Sequence, residues 1–150
     1  GTSVHYSGTV AGAREGALMG IPSIAVSLNS FTTNDYRYAA KITAKLCKAV
    51  SQNGMPKGTF FNVNVPALAE SKIKGIRFTR QGLDPILGTF TQRKDPNLRE
   101  YYWMGGEFKP PSKDDGTDTW AMHNGYVTVT PVHCDLTNRQ VLEEMQHWRM

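Results

Sequence analysis

Ser7-Gly8-Thr9 is the stretch of the chain best suited to chemistry. Two hydroxyls flank a glycine where an irregular run, Gly1 to Tyr6, gives way to a helical one. A helix start leaves its first amides without intrahelical partners and carries the positive end of the dipole, so hydroxyls and bare backbone there suit an anion. The same residues also suit an ordinary Ser or Thr cap, and spacing alone puts the cap ahead. Other catalytic signatures do not fit. A nucleophile elbow needs glycine two residues before and two after the serine, where this chain has His5 and Thr9. A Walker loop needs Gly-Lys-Ser or Gly-Lys-Thr, and a dinucleotide fingerprint needs a tighter glycine spacing.

The remaining candidates are weaker. His5, His123, His133 and His147 share no ligand spacing and read as packing or capping residues. Asp114, Asp115 and Asp118 could hold a divalent cation, but without further acidic residues at loop-ligand spacing they read as a solvated turn. Asn62 and Asn64 could face a site at a strand end or bond to loop backbone. Arg77, Arg80, Arg93, Lys94 and Arg99 have aromatics nearby, an arrangement that suits single-stranded nucleic acid but reads first as a solvated ribbon or an oligomer contact. Cys47 and Cys134, the two cysteines, read as free thiols of a reduced, cytosolic protein rather than a disulfide.

These residues need elements to position them. A chain of 150 residues can bury a core without disulfides or a structural metal, and a formal charge of +4 permits an anionic partner without naming one. No apolar run approaches a membrane span. The start lacks a methionine and carries no periodic element before Ser7, which reads as a longer polypeptide entered partway through. Ser7 to Met19 reads as a helix with Gly8, Gly12, Gly16 and Gly20 on one face, a stripe that would let a neighbouring backbone approach. Ile21 to Leu28 reads as a strand buried on both faces, as in a parallel sheet covered by helices.

Asn34 to Val50 has the period of an amphipathic helix, capped by Thr33 or Asn34 and ended by Asn53-Gly54. Thr59 to Pro66 alternates as a strand, with Phe61, Val63 and Val65 opposite Asn62 and Asn64. Lys72 to Gly82 and Leu98 to Gly106 read as the two strands of a projecting antiparallel hairpin separated by Thr91 to Asn97. Its cluster Tyr101, Tyr102 and Trp103 should pack either on a second subunit or back on its own domain. Pro110 to Asp118 is a loop, Thr117 or Asp118 caps a short helix, and Gly125 to Val132 is a last strand. A final helix with a Thr137/Gln140 capping box and a Leu136/Val141 staple presents Val141, Met145 and Trp148 for packing. Alternating helices and strands of these lengths indicate an α/β architecture.

The stretch YSGTVAGAREGALMGIPSIAVSL resembles the signature of the SurE family of survival-protein nucleotidases. TFFNVNVP, GIRFTRQG, GTDTWA and GYVTVTPVHCDLT resemble further blocks of that family, in its order, so the likeness covers nearly the whole chain. It implies a Rossmann-like three-layer α/β sandwich with a hairpin extension, here about residues 72–106, and an exchanged C-terminal element. Residues 1–150 would then be the C-terminal part of one such domain, assembled as a homodimer or homotetramer. The activity implied is metal-dependent hydrolysis of nucleoside 5′- and 3′-monophosphates, in some members also of short polyphosphate. No membrane association and no stable nucleic-acid complex are expected.

The resemblance turns the first motif from a cap towards a substrate site, assigning Ser7, Gly8 and Thr9 to phosphate contact. In the family the divalent cation, Mg²⁺ or Mn²⁺, is held by an aspartate pair, a loop serine and an asparagine in a Ser-Gly-Ile-Asn motif, all upstream of the block that opens this chain. None has a counterpart here. The metal ligands are therefore expected upstream of Gly1, and the 150 residues alone are expected to be inactive. The competing reading is a non-catalytic binding or assembly module on the same scaffold.

Overall fold

Alternation along Thr59 to Pro66 sorts this strand's side chains onto two faces, and the fold is built around that sorting. The computed structural model describes residues 1–84, 88–105 and 113–149. Its elements are a 3-10 turn (Thr2–His5), α1 (Gly8–Leu18), β1 (Ser23–Asn29), α2 (Arg37–Asn53), β2 (Thr59–Pro66), a second 3-10 turn (Glu70–Lys72) and β3 (Ile76–Phe78). They are followed by β4 (Thr89–Lys94), β5 (Glu100–Gly105), α3 (Asp118–His123), β6 (Val127–His133) and α4 (Arg139–Met145).

The main sheet has the order β1-β2-β6-β3, with β1 parallel to β2, β2 antiparallel to β6, and β6 parallel to β3. On one face Ala39, Ile42 and Leu46 of α2 pack on Val63, Val65, Val127 and Val129. On the other, Val4 and α1's Val10, Ala13 and Ala17 pack on Ala25 and Phe60. This gives the three-layer Rossmann-like arrangement expected of the sequence. Among the described residues no helix is long and apolar enough to cross a membrane.

Several local expectations give way. Among the described residues the glycine face of α1 is not its packing face, because a Cβ at Gly8 or Gly12 would meet nothing there, and of the helix's three glycines Gly16 alone has a close neighbour, Ser23 Oγ. Alanines rather than glycines make the smooth contact. α2 begins at Arg37 behind Tyr36, not at a Thr33 or Asn34 cap; Asp35 Oδ1 takes the Arg37 amide at 3.2 Å instead. Gly54, at φ +74°, ends α2 as expected of Asn53-Gly54.

The strand pairing also differs. Within Lys72 to Gly82 the strand is Ile76–Phe78, drawn into the main sheet beside β6, while the partner of β5 is β4. The turn explains this. Asp95 Oδ1 accepts the amides of Asn97 at 2.8 Å and Arg99 at 2.9 Å, so the reversal falls at Asp95 and Thr91–Lys94 belong to a strand rather than a spacer. All residues of β4 and β5 are exposed, among them Phe90, Tyr102, Trp103 and Met104, so among the described residues the hairpin does not fold back on its own domain. α4 is capped by Asn138, whose side chain accepts the Val141 amide at 3.1 Å, not by Thr137. It is also exposed rather than packed, because its apolar stripe meets no surface among the described residues. Of the expected loop Pro110 to Asp118, the first three residues lie outside the described residues.

Candidate functional site

A short turn joins α1 to β1, and Gly16 near the helix end packs against Ser23 at the strand start. The two therefore run antiparallel, which brings Ser7, Gly8 and Thr9 to the edge of the sheet where β1 and β2 present their carboxyl ends. Ligands of open α/β sheets collect at this edge. Ser7 has extended backbone and is the N-cap, its Oγ accepting the Val10 amide at 3.2 Å. The first i→i−4 bond runs from Ala11 to Ser7 at 2.9 Å, so the Gly8 and Thr9 amides precede the intrahelical ladder. Gly8 and Thr9 are exposed. A hydroxyl and two amides thus face outward at the positive end of the dipole, while the Ser7 hydroxyl also caps. Of the two sequence readings of Ser7 the structure shows the cap, and a capping oxygen still has a proton to donate.

The approach to this helix start is held tightly. Asp118 is buried; its Oδ1 accepts the Gly82 amide at 2.8 Å and its Oδ2 accepts from the Gly1 nitrogen at 2.5 Å. Thr2 Oγ1 donates to the Asp84 carbonyl at 2.9 Å, and His5 Nε2 lies 3.4 Å from Gln81 Nε2. Residues 1–6 are thereby fixed against the segment after β3 and the start of α3. The sequence marks Asp118 only as a turn acid or a cap; its burial and its bond to Gly82 appear only in the folded chain.

Register adds a row of polar groups on the same face of the sheet. Ser27 pairs with Asn64, Asn64 with Thr128, and Thr128 with Arg77. Asn64 Nδ2 stands 3.5 Å from Thr128 Oγ1, and one row inward the Thr79 and Thr130 hydroxyls bond at 2.8 Å. Asn62 and Asn64 thus face the α1 side, Asn64 towards the carboxyl end of β2 and Asn62 one row inward, buried. The matching alternation of Asn62 and Asn64 with Thr128 and Thr130 is the signal that could have marked this row.

The other candidates disperse. Asp114 pairs with Arg80, which holds its carboxyl below the ordinary range. Lys94 pairs with Glu100 at 3.9 Å, and Arg93 lies over Trp103 on the hairpin, so the basic residues form no continuous track. Cys47 and Cys134 are free, as expected. Among the described residues no three His, Cys, Asp or Glu side chains stand together to hold a metal ion. The residues present therefore do not fit a complete divalent-cation site. A groove of about 670 Å³ opens beside the start of α2, where Arg37 and Lys41 are already paired with Asp35 and Glu70.

Known proteins share the sequence pattern and the fold of this chain. The survival protein SurE family matches residues 1–86, the span from the first turn through β3. A 5′-nucleotidase SurE of Symbiobacterium thermophilum is 44% identical over 150 residues, all of this chain and 59% of that protein. One from Syntrophotalea carbinolica is 45% identical over 152 residues, covering 60% of its length. The crystal structure of the SurE protein from Aquifex aeolicus superposes with a TM-score of 0.82 at 41% identity, over 98% of this chain and 59% of that one. The chain spans about three fifths of the length of these relatives. On this match of sequence and fold, the chain belongs to the survival protein SurE family.

Proposed function

We infer that the chain supplies the phosphate-facing wall of a nucleotidase that hydrolyses nucleoside monophosphates, both 5′ and 3′, and short polyphosphate. The observation that carries this reading is the outward-facing start of α1, with Ser7, Gly8 and Thr9 at the carboxyl edge of the sheet. The names of the relatives, 5′-nucleotidases, support it. The Gly8 and Thr9 amides and the Thr9 hydroxyl bind and orient the phosphoryl group, and they offset negative charge as it grows on the non-bridging oxygens. Ser7 holds the helix start in shape while its hydroxyl proton points to the anion. A divalent cation, Mg²⁺ or Mn²⁺, supplies Lewis acidity when bound, from ligands outside these 150 residues.

The assembly is a homodimer or homotetramer in which the exposed aromatic hairpin and α4 cover surfaces of other copies. The setting is the cytoplasm. The test compares phosphate release from 5′-AMP, 3′-AMP and tripolyphosphate by the full-length protein and by residues 1–150 alone, with Mg²⁺ or Mn²⁺. The full-length protein turns over all three and the shorter chain none. Failure of the full-length protein to release phosphate, or metal-dependent turnover by the 150 residues, contradicts the reading.

A further inference from the structure

Arg77 ends the polar row across the sheet, and its surroundings differ from those of the chain's ion-paired cations. Its guanidinium carbon lies 5.4 Å from the ring centroids of both Trp120 and Tyr126. Lys74 Nζ lies 5.8 Å from the same Tyr126 ring. Arg37, Lys41, Arg80, Lys94 and Arg139 each have a carboxylate partner, whereas neither Arg77 nor Lys74 has one among the described residues. Two aromatic rings fix the half-buried arginine without accepting its N–H groups in hydrogen bonds, and a second cation shares one ring. Rings against its faces leave the N–H edge of the guanidinium as its hydrogen-bonding side, and a guanidinium fork matches the oxygens of a phosphoryl group.

We propose that Arg77 and Lys74, backed by Trp120 and Tyr126, form a second phosphoryl-binding subsite at the β3 edge, on the same face of the sheet as α1. The fork of Arg77 binds two oxygens, Lys74 adds a mobile point charge, and the rings exclude water from the back of the contact. The phosphoryl group belongs either to a substrate that carries two of them or to free inorganic phosphate. This subsite stands apart from the reading of α1, and its existence is tested by binding alone, turnover serving only to tell its two phosphoryl sources apart.

The experiment titrates the full-length protein with inorganic phosphate in the presence of a metal chelator, by calorimetry and by tryptophan fluorescence. Arg77→Gln weakens binding at least tenfold, and Arg77→Lys recovers part of the loss because the charge returns without the fork. Thermal unfolding checks that the variants are folded. If Arg77→Gln does not fold, Lys74→Gln, at an exposed side chain, is read instead and weakens phosphate two- to fivefold. Kinetics separate the two sources. A second substrate phosphoryl is indicated when Arg77→Gln raises KM for adenosine 3′,5′-bisphosphate at least tenfold more than for 5′-AMP. Free phosphate is indicated when inhibition by phosphate weakens tenfold and that KM ratio stays fixed. Phosphate affinity equal to wild type in the folded variants overturns the subsite.

Discussion

Asp118 Oδ1 accepts the amide of Gly82 at 2.8 Å, joining the first turn of α3 to the segment that leaves β3. This carboxylate is buried beside Gly1, at the head of the segment that leads into α1. Gly82 has no room for a side chain there, since a Cβ would collide with Thr119 Oγ1.

Replacing this carboxylate should cost stability. Asp118→Ala leaves the buried Gly82 amide without an acceptor and lowers stability by about 1–3 kcal/mol. Asp118→Asn keeps one acceptor oxygen and loses less. Urea denaturation measures both, and an Asp118→Ala midpoint equal to wild type refutes the role.

Glycines of α1 respond unequally to alanine. Gly12→Ala enters open space and removes a helix-weakening residue, so residues 1–150 gain about 0.5–1 kcal/mol. Gly16→Ala meets Ser23 Oγ, which must leave its 2.9 Å bond to the Ile21 carbonyl, so the loss of that exposed bond offsets the helix gain. Thermal unfolding compares the two variants, and a Gly16→Ala gain equal to that of Gly12→Ala contradicts the packing described.

The entry to α2 is sensitive to acid. Side-chain and backbone hydrogen bonds from Arg37 lower the Asp35 pKa from 3.8 to about 2. Because the folded value is depressed, the contact contributes fully above the ordinary value near 3.8 and is lost as pH falls towards 2. Carboxyl NMR titration should find Asp35 titrating near 2 and should find it raised part of the way towards 3.8 in Arg37→Gln, where the backbone amide of residue 37 still donates to it. High salt shrinks the difference, since the pair is exposed. An Asp35 midpoint indifferent to Arg37→Gln removes the pairing as its cause.

Much of this architecture is legible in the sequence where burial leaves a period. Ala39, Ile42 and Leu46 announce α2, and the alternation of Asn62 and Asn64 with Val63 and Val65 gives both faces of β2. β4 is hidden because it is exposed on both faces and so has no apolar alternation. α4 shows its stripe plainly, but a stripe cannot say whether its counter-surface lies in the same chain. At the site, Ser7 is legible because a cap is local in sequence. Arg77 is not, since the register of β3 on β6 and the placing of α3 are needed to bring Trp120 and Tyr126 to it.

The helix start carries the functional account, and Thr9 tests it most directly because its side chain is exposed and is not the cap. In the full-length protein, Thr9→Val should lower kcat/KM for 5′-AMP at least tenfold, about 1.4 kcal/mol of transition-state stabilisation, with the unfolding midpoint unchanged. Ser7→Ala should combine a similar loss with about 1 kcal/mol of lost stability from the cap. The decisive measurement is kcat/KM of Thr9→Val at saturating metal: a tenfold fall in a fully stable protein places phosphate at α1, and wild-type turnover returns Ser7, Gly8 and Thr9 to capping alone.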